Sequence, residues 1–293
     1  MYNISIKSKQ NITEGNIMTN KTALITGSTG GLGSEFVKLH AKSGGDVVLV
    51  ARNQKKLDEQ KKEIENNYRV KVYTIAVDFT DYNAAEVIYN RVKEMGIAVD
   101  YLINNAGLGG QGSFADRTME QDLEMLNVNI VVPTKLMKLF IPDFVKCGSG
   151  KILNVSSTAA LTPGPLQAEY YASKAYLTSL SNAVWYELKG TGVTCTVLMP
   201  GAMDTGFASA SGLTTTKMFS NAGKPNKVAE DGYKGMLSGK LSVISGLPGW
   251  QSVFVGLMPM MPKKNNNGIC CRSADKSLKG SCYEKIYSRW TVW

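Results

Sequence analysis

A glycine-rich turn near the start of the chain restricts its fold more than any other feature of the sequence. The turn reads TGSTGGLG at residues 26–33 and follows a short apolar run at residues 22–25. Phe36, Val37 and Leu39 come next at helical spacing. Glycines between a buried strand and a helix permit a tight turn, and they let the backbone approach a phosphate at the helix N-terminus. This order predicts a nucleotide-binding α/β unit, although such a turn can also exist without a ligand.

The same alternation of apolar runs and helical segments continues along the chain. An unbroken β-branched run such as residues 47–50 is typical of a parallel strand that is buried on both faces. Further strands are predicted at residues 70–77, 101–103, 151–155, 193–198 and 241–244, and helices at 34–42, 54–66, 84–95, 119–145 and 168–188. The pattern predicts a Rossmann-like, doubly wound α/β fold with a seven-stranded, mostly parallel sheet and helices on both faces.

The two ends of the chain differ in composition from the middle. We expect one Rossmann domain over residues 18–262, a disordered extension at 1–17 and a disordered basic tail at 263–293. The two end segments carry +6 of the formal net charge of +9. Nucleic-acid binding would therefore depend on the tails alone, and no basic-aromatic module accompanies them. We predict no nucleic-acid partner, and a chain that lacks both tails would test this.

Cysteine and histidine usage bears on location and metal binding. The five cysteines are an odd number without paired spacing, which favours a reducing compartment, so we expect a cytoplasmic protein. His40 is the only histidine, and we predict no metal site. A serine hydrolase is excluded because this histidine lies in the first helix and no G-x-S-x-G motif occurs. We expect no signal peptide and no integral membrane segment, since no apolar run approaches the required length.

The segment YYASK at residues 170–174 indicates proton-transfer chemistry. Tyr170 and Lys174 are four residues apart in a predicted helix, which places them on one face. A neighbouring ammonium favours the phenolate, so we predict that Lys174 lowers the pKa of Tyr170. Such a phenol can give a proton to a carbonyl or take one from an alcohol. Ser157 stands thirteen residues upstream of Tyr170, just after an apolar run.

These motifs together resemble the short-chain dehydrogenase/reductase family, over roughly residues 20–245. The T-G-x-x-x-G-x-G spacing is similar to that family, and the branch resembled is that of NADP-preferring carbonyl, 3-oxoacyl and steroid reductases. The resemblance implies that Tyr170, Lys174, Ser157 and Asn129 are catalytic. Pro133 has no N–H for the carbonyl of Asn129, four residues earlier, so we predict a kink there with a free acceptor. In the family, that acceptor holds a water that relays protons to the lysine.

The resemblance also assigns a cofactor site to loops that follow strands. Arg52 follows the second strand, where an acid would select NAD and an arginine accommodates the 2′-phosphate of NADP. NADP is therefore predicted over NAD, although a solvated arginine would have the same sequence. The other positions that the resemblance assigns to the cofactor are Gly27, Ser28, Gly31, Leu32, Gly33, Asp78, Asn105, Ala106, Gly107, Tyr170, Lys174, Pro200, Gly201 and Thr205.

The predicted function is that of an NADP(H)-dependent oxidoreductase that interconverts a ketone or aldehyde and an alcohol. Two alternatives stay open: a non-catalytic nucleotide-binding sensor on the same fold, and an NAD-linked alcohol dehydrogenase that works oxidatively. Apolar side chains in the expected lid at residues 207–224 favour an apolar or mixed small-molecule substrate. The resemblance further implies a homo-oligomer, either a dimer or a tetramer.

Overall fold

Seven strands form a single sheet in the computed structural model, which describes residues 21–203 and 223–247. The strands are β1 Thr22–Thr26, β2 Asp46–Ala51, β3 Val72–Ala76, β4 Tyr101–Asn104, β5 Gly150–Val155, β6 Val193–Pro200 and β7 Ser242–Ser245. Their order across the sheet is β3-β2-β1-β4-β5-β6-β7. Every pairing between these seven strands is parallel, which confirms the predicted seven-stranded α/β sheet.

The helices cover both faces of this sheet, as predicted. They are α1 Gly31–Lys42, α2 Gln54–Asn67, α3 Ala84–Glu94, α4 Met119–Leu126, α5 Val132–Cys147, α6 Ala168–Glu187 and α7 Pro225–Leu237. Alternate residues along a strand point to opposite faces, so Ile25 belongs to the core cluster that includes residues of α1, α2 and α7, while Leu24 belongs to the one that includes residues of α3 and α5. Within the described residues, no helix is long and apolar enough to cross a membrane.

The predicted single helix over residues 119–145 is wrong in one respect. A π-helical turn at Asn127–Val131 separates α4 from α5, and the backbone N–H of Val132 bonds to the carbonyl of Asn127, five residues back. Pro133 follows at once in the first turn of α5. Because a proline has no N–H to donate to the carbonyl four residues earlier, the regular register cannot continue through this point. The predicted kink is therefore a change of helix register.

The strand order fixes where a ligand can bind. The chain moves outward from β1 to β3 on one side of the sheet and then returns to place β4 on the other side of β1. Loops that leave the carboxyl ends of β1 and β4 therefore diverge, and they leave a crevice between them. The predicted extension 1–17 and tail 263–293 lie outside the described residues.

Candidate active site

The glycine turn after β1 is held against the turn after β4 by the side chains of Asn105 and Thr26. Gly27 has a φ of +64°, a left-handed conformation that favours glycine. The side-chain amide of Asn105 donates to the carbonyls of Thr26 and Gly27 at 3.0 and 3.2 Å. In return, the Thr26 hydroxyl accepts the N–H groups of Asn105 and Ala106 at 2.9 and 3.0 Å. These bonds lock the two loops together across the crevice.

The start of α1 presents backbone donors beside this turn. A Cβ on Gly33 would collide with the carbonyl of Gly27, so the helix can approach the turn only because residue 33 is glycine. The helix begins after Gly30, whose residue type offers no side-chain cap. The first amides of a helix have no partner within it, so those of Gly31 and Leu32 suit a phosphate.

Ser28 lies deeper in the same turn. Its N–H donates to the carbonyl of Val50, and its own carbonyl accepts from the Gln60 side chain at 2.9 Å. The Ser28 hydroxyl is buried and has no hydrogen-bond partner among the described residues. Orphaned buried hydroxyls are uncommon in folded proteins, so this one fits a site built for a polar group from outside the chain.

Arg52 and Asp78 stand at the carboxyl ends of β2 and β3, where the sequence places them. The Arg52 side chain is exposed, and it has no ion-pair partner within the described part of the chain. Asp78 is also exposed, and its carboxylate accepts the backbone N–H and the hydroxyl of Thr80, both at 3.0 Å. Both side chains therefore flank the crevice from the β3 side of β1.

Ser157 and Tyr170 meet on the other side of β1. Ser157 follows β5 and accepts the N–H of Ala159 at 3.1 Å, while Tyr170 lies in the first turn of α6. Burial raises the pKa of Tyr170 above its ordinary value, and a hydrogen bond between the Ser157 and Tyr170 hydroxyls opposes the rise. The predicted lowering of this pKa is therefore wrong. The cost of burying a phenolate exceeds the help from the Ser157 hydroxyl.

Lys174 is a buried cation one helical turn from Tyr170. Its ammonium donates to the carbonyl of Val155 at 3.0 Å and lies 5.8 Å from the centre of the Tyr170 ring. Burial lowers the pKa of Lys174 to about 8. A Cβ on Gly107 would lie 3.3 Å from the ammonium nitrogen, so the loop after β4 passes close to this charge. Lys174 has no carboxylate partner among the described residues.

Asn129 joins the loop after β4 to α6. The Asn129 side chain is buried and bonds both backbone groups of Leu108, accepting the N–H at 2.8 Å and donating to the carbonyl at 2.9 Å. It also donates to the Ser173 hydroxyl at 3.0 Å, and Ser173 donates to the carbonyl of Tyr170 at 2.7 Å. The four predicted catalytic residues therefore form one neighbourhood.

The loop after β6 supplies the remaining predicted positions. Pro200 ends β6, and the N–H of Gly201 donates to the carbonyl of Ser245 in β7 at 2.9 Å. A Cβ on Gly201 would collide with the Leu247 side chain. Thr205 and most of the expected lid lie outside the described residues.

Several residues that shape the site were not predicted from the sequence. The Thr26 hydroxyl, the Ser173 hydroxyl and the Val155 carbonyl each hold a predicted site residue in place. Thr26 and Ser173 stand inside the two motifs, so their polar character at buried positions was the available signal. No sequence signal marks a backbone carbonyl such as that of Val155.

Three other polar side chains, those of Ser156, Tyr171 and His40, are held by contacts within the protein. Ser156 is buried and donates to the carbonyl of Lys174 at 2.9 Å, and the ring of Tyr171 packs over Gly164. His40 is bonded to the Tyr233 hydroxyl and to the carbonyl of Lys21. Within residues 21–203 and 223–247, no three histidine, cysteine or acidic side chains are grouped as metal ligands would be.

Comparison with known proteins agrees with this architecture. The sequence model of the short-chain dehydrogenase family matches residues 21–215. The chain is 31% identical over 242 residues to the very-long-chain 3-oxoacyl-CoA reductase of Homo sapiens, which covers 78% of this chain and 76% of that protein.

Two solved structures are also similar. A 7beta-hydroxysteroid dehydrogenase has a TM-score of 0.78 and 26% identity, and the match covers 88% of this chain and all of the other. A short-chain dehydrogenase from Sphingobium yanoikuyae in complex with NADPH has a TM-score of 0.72 and 26% identity, over 83% of this chain and 96% of the other. With the sheet order, the braced glycine turn and the grouped serine, tyrosine and lysine, these matches establish that the chain belongs to the short-chain dehydrogenase family of NAD(P)-dependent oxidoreductases.

Proposed function

We propose that this protein is an NADP(H)-dependent reductase of bulky apolar ketones, with Tyr170 as the proton donor. The observation that carries the proposal is the hydrogen-bonded pair of Ser157 and Tyr170 beside the buried ammonium of Lys174. A carbonyl oxygen placed between the two hydroxyls would accept a hydrogen bond from each. Both bonds strengthen as negative charge develops on that oxygen in the transition state.

The reductive direction requires a protonated Tyr170, and burial of the phenol is consistent with that state. A phenol whose pKa lies above its ordinary value keeps its proton at neutral pH, and reduction of a ketone requires a proton donor. Lys174 has a pKa of about 8, so its ammonium is charged at neutral pH and stabilises a phenolate left after the proton has moved. The bound nicotinamide would supply the hydride to the carbonyl carbon.

The described residues fit a dinucleotide. The first amides of α1, together with Gly27 and Gly33, would hold the pyrophosphate, while Asn105, Ala106 and Gly107 would border the nicotinamide half. Arg52 is the observation in favour of NADP, because an exposed guanidinium without an ion-pair partner in the described residues can bind a 2′-phosphate through two hydrogen bonds. We assign Asp78 to the adenine, and Pro200, Gly201 and Thr205 to the nicotinamide.

Asn129 acts in this proposal through the groups that it holds. Its side chain fixes Leu108 and, through Ser173, the first turn of α6, which carries Tyr170. The register change before Pro133 occurs in the same stretch of backbone. A carbonyl left without its helical partner here would bind the water that returns a proton towards Lys174.

The substrate class rests on two of the similar proteins. Their names specify a very-long-chain 3-oxoacyl-CoA and a hydroxysteroid, and both molecules carry a large apolar group attached to the reactive carbon. A ketone of this kind is therefore the substrate that we propose. A cytoplasmic location, assembly as a homo-oligomer and the single domain at residues 18–262 remain predictions from the sequence.

The test is NADPH oxidation with a panel of ketones that includes cyclohexanone, a 3-oxosteroid and a 3-oxoacyl thioester. We expect turnover with NADPH that exceeds turnover with NADH, and a loss of about 10²-fold or more in Tyr170→Phe, which lacks only the hydroxyl. Tyr171→Phe is the matched control, because it removes a hydroxyl from the adjacent ring without touching the proposed donor.

The outcomes separate the alternatives. No turnover with any ketone, while NADPH binds, would favour the nucleotide sensor. Equal or better turnover with NADH would contradict the role of Arg52, and oxidation of alcohols with NAD would favour the dehydrogenase direction. An Arg52→Ala variant that discriminates NADPH from NADH as well as the wild type would contradict that assignment separately.

A further inference from the structure

The loop that follows Gly107 contains three more glycines and runs across the site. We call residues 109–112, with the sequence GGQG, the glycine wall. Its first anchor is Leu108, both of whose backbone groups are bonded to Asn129. Its second anchor is Gly112, whose N–H donates to the carbonyl of Leu166 at 2.9 Å. The wall therefore spans from the neighbourhood of Lys174 to the segment between Ser157 and Tyr170.

Arg117 fills the space on one side of this wall. A Cβ on Gly110 would collide with the guanidinium of Arg117, and a Cβ on Gly112 would lie 3.1 Å from its Cγ. At both glycines, the direction in which a side chain would project therefore points towards Arg117. The opposite side of the wall presents only backbone at these two positions.

A nearly buried ion pair fixes Arg117. Its Nε donates to the carboxylate of Asp122 at 2.6 Å, and only 11% and 12% of the two side chains are exposed. Thr118 caps α4 in a capping box with Gln121, so Arg117 and Asp122 occupy the positions where a hydrophobic staple normally forms. The ion pair takes the place of that staple and sets the direction in which the chain enters α4.

The contact with Arg117 is important because glycine residues are conformationally flexible. A run of three glycines in four residues has a large conformational entropy, and ordering it requires support from neighbouring groups. The wall has backbone anchors at its two ends and the Arg117 guanidinium behind its middle. Since the ion pair is shielded from water, salt screens it less than an exposed pair.

We propose that Arg117 and Asp122 are positioning residues that hold the glycine wall back from the carbonyl site and so set how bulky a ketone can be. This inference rests on the proposed reductase function. With the wall held in place, a large group attached to the carbonyl can lie against backbone, with no side chain from Gly110 or Gly112 in its way. If the wall is released, it can occupy that volume, which penalises a bulky ketone more than a small one.

The test is the double variant Arg117→Met with Asp122→Leu. It removes both charges and keeps most of the side-chain volume, so neither charge is left buried without its partner. We expect KM for a 3-oxosteroid to rise about tenfold while KM for cyclohexanone and both kcat values change by less than about twofold. We also expect the backbone amides of Leu108 and Gly112 to exchange with deuterium about tenfold faster.

Two further variants distinguish the proposed role from a general effect of removing an ion pair. Arg91→Met with Glu94→Leu removes an exposed ion pair, whose side chains are 65% and 63% exposed, and should leave both KM values and the exchange rates unchanged. Arg117→Lys, made in an otherwise wild-type chain, keeps the charge but not the planar guanidinium, and we expect it to retain part of the selectivity that the double variant loses.

Different results would overturn different claims. If KM rises by the same factor for both ketones, or if exchange at Gly112 is unchanged, the positioning role is wrong even though the enzyme is a reductase. If the wild type reduces neither ketone while it binds NADPH, the proposed function fails, and the selectivity role fails with it.

Discussion

His40 and Lys174 are both buried basic side chains, but they lie at opposite ends of the sheet and differ in how their surroundings treat them. His40 lies at the amino end, where one ring nitrogen is bonded to the Tyr233 hydroxyl at 2.7 Å and the other to the carbonyl of Lys21 at 2.9 Å. Lys174 lies at the carboxyl end, where its ammonium donates to the carbonyl of Val155. Burial lowers the pKa of both groups.

The difference lies in what each group can do without its proton. A neutral imidazole satisfies both of its partners, because one nitrogen donates to the carbonyl and the other accepts from the hydroxyl. His40 can therefore remain neutral as part of the packing between α1 and α7. Lys174 can also become neutral when it is buried, but it then loses the charge that the proposed chemistry uses. A buried cation without a carboxylate partner in the described residues therefore indicates function, and a satisfied neutral histidine indicates structure.

The largest expected effect that tests this comparison is the loss of activity on substitution of Lys174. Lys174→Met should reduce turnover by about 10³-fold, because the phenolate of Tyr170 loses its stabilising charge. Its Tm should stay within a few degrees of the wild type, since the loss of one hydrogen bond to Val155 is offset by removal of a buried charge. Activity assays and thermal unfolding of the same sample measure both effects.

His40→Met is the reciprocal variant. It leaves the Tyr233 hydroxyl and the Lys21 carbonyl without their partner, so we expect a loss of about 1–3 kcal/mol in the free energy of unfolding. Turnover by the folded protein should be unchanged. If the histidine variant lost activity while it stayed folded, or if the lysine variant unfolded, the division between a structural and a functional end of the sheet would be wrong.

A smaller effect should appear in the pH dependence of activity. The pKa of Lys174 in the free enzyme is about 8, so its charge is present below that pH and is lost above it. We expect kcat/KM for NADPH, which reports the free enzyme, to fall about tenfold per pH unit on the alkaline side. Lys174→Arg should move the break to higher pH, because a guanidinium stays charged. A profile that is flat to one unit above that value would contradict the assignment.

The order of strands and helices could be predicted from the sequence because apolar stretches, such as residues 47–50, mark most of the buried strands. The site motifs at residues 26–33, 104–107 and 170–174 could also be identified from the sequence, since each is contiguous in the chain. The helix α7 was missed because it contains Gly232 and Gly235, which lower helical propensity. These two glycines allow α7 to pack closely on Leu198 and Val243, and that contact exists only in the folded protein.

The electrostatics of the site depended on contacts that the sequence could not supply. A lysine one turn from Tyr170 predicted a lowered pKa, but burial of the phenol in the folded protein raises it. Arg117 and Asp122 were overlooked for a related reason. Arg117 precedes the helix and stands five residues from Asp122, so their pairing depends on the cap at Thr118 and not on helical spacing.

The smallest expected effect concerns stability in acid, and it sharpens the account of His40. The pKa of His40 in the folded protein lies below its ordinary value of 6.5, so the unfolded chain binds more protons once the pH drops to that value. The contribution of neutral His40 is therefore complete above pH 6.5 and is lost as the pH falls towards the folded pKa. Asp46 and Asp100 contribute a weaker opposing attraction to the charged ring, as do the backbone acceptors around it. We expect the free energy of unfolding, measured by urea titration, to decrease more steeply in this range for the wild type than for His40→Gln. Equal slopes for the two proteins would mean that His40 has the same pKa in the folded and unfolded states. Burial would then not keep the ring neutral, and the contrast with Lys174 would lose its basis.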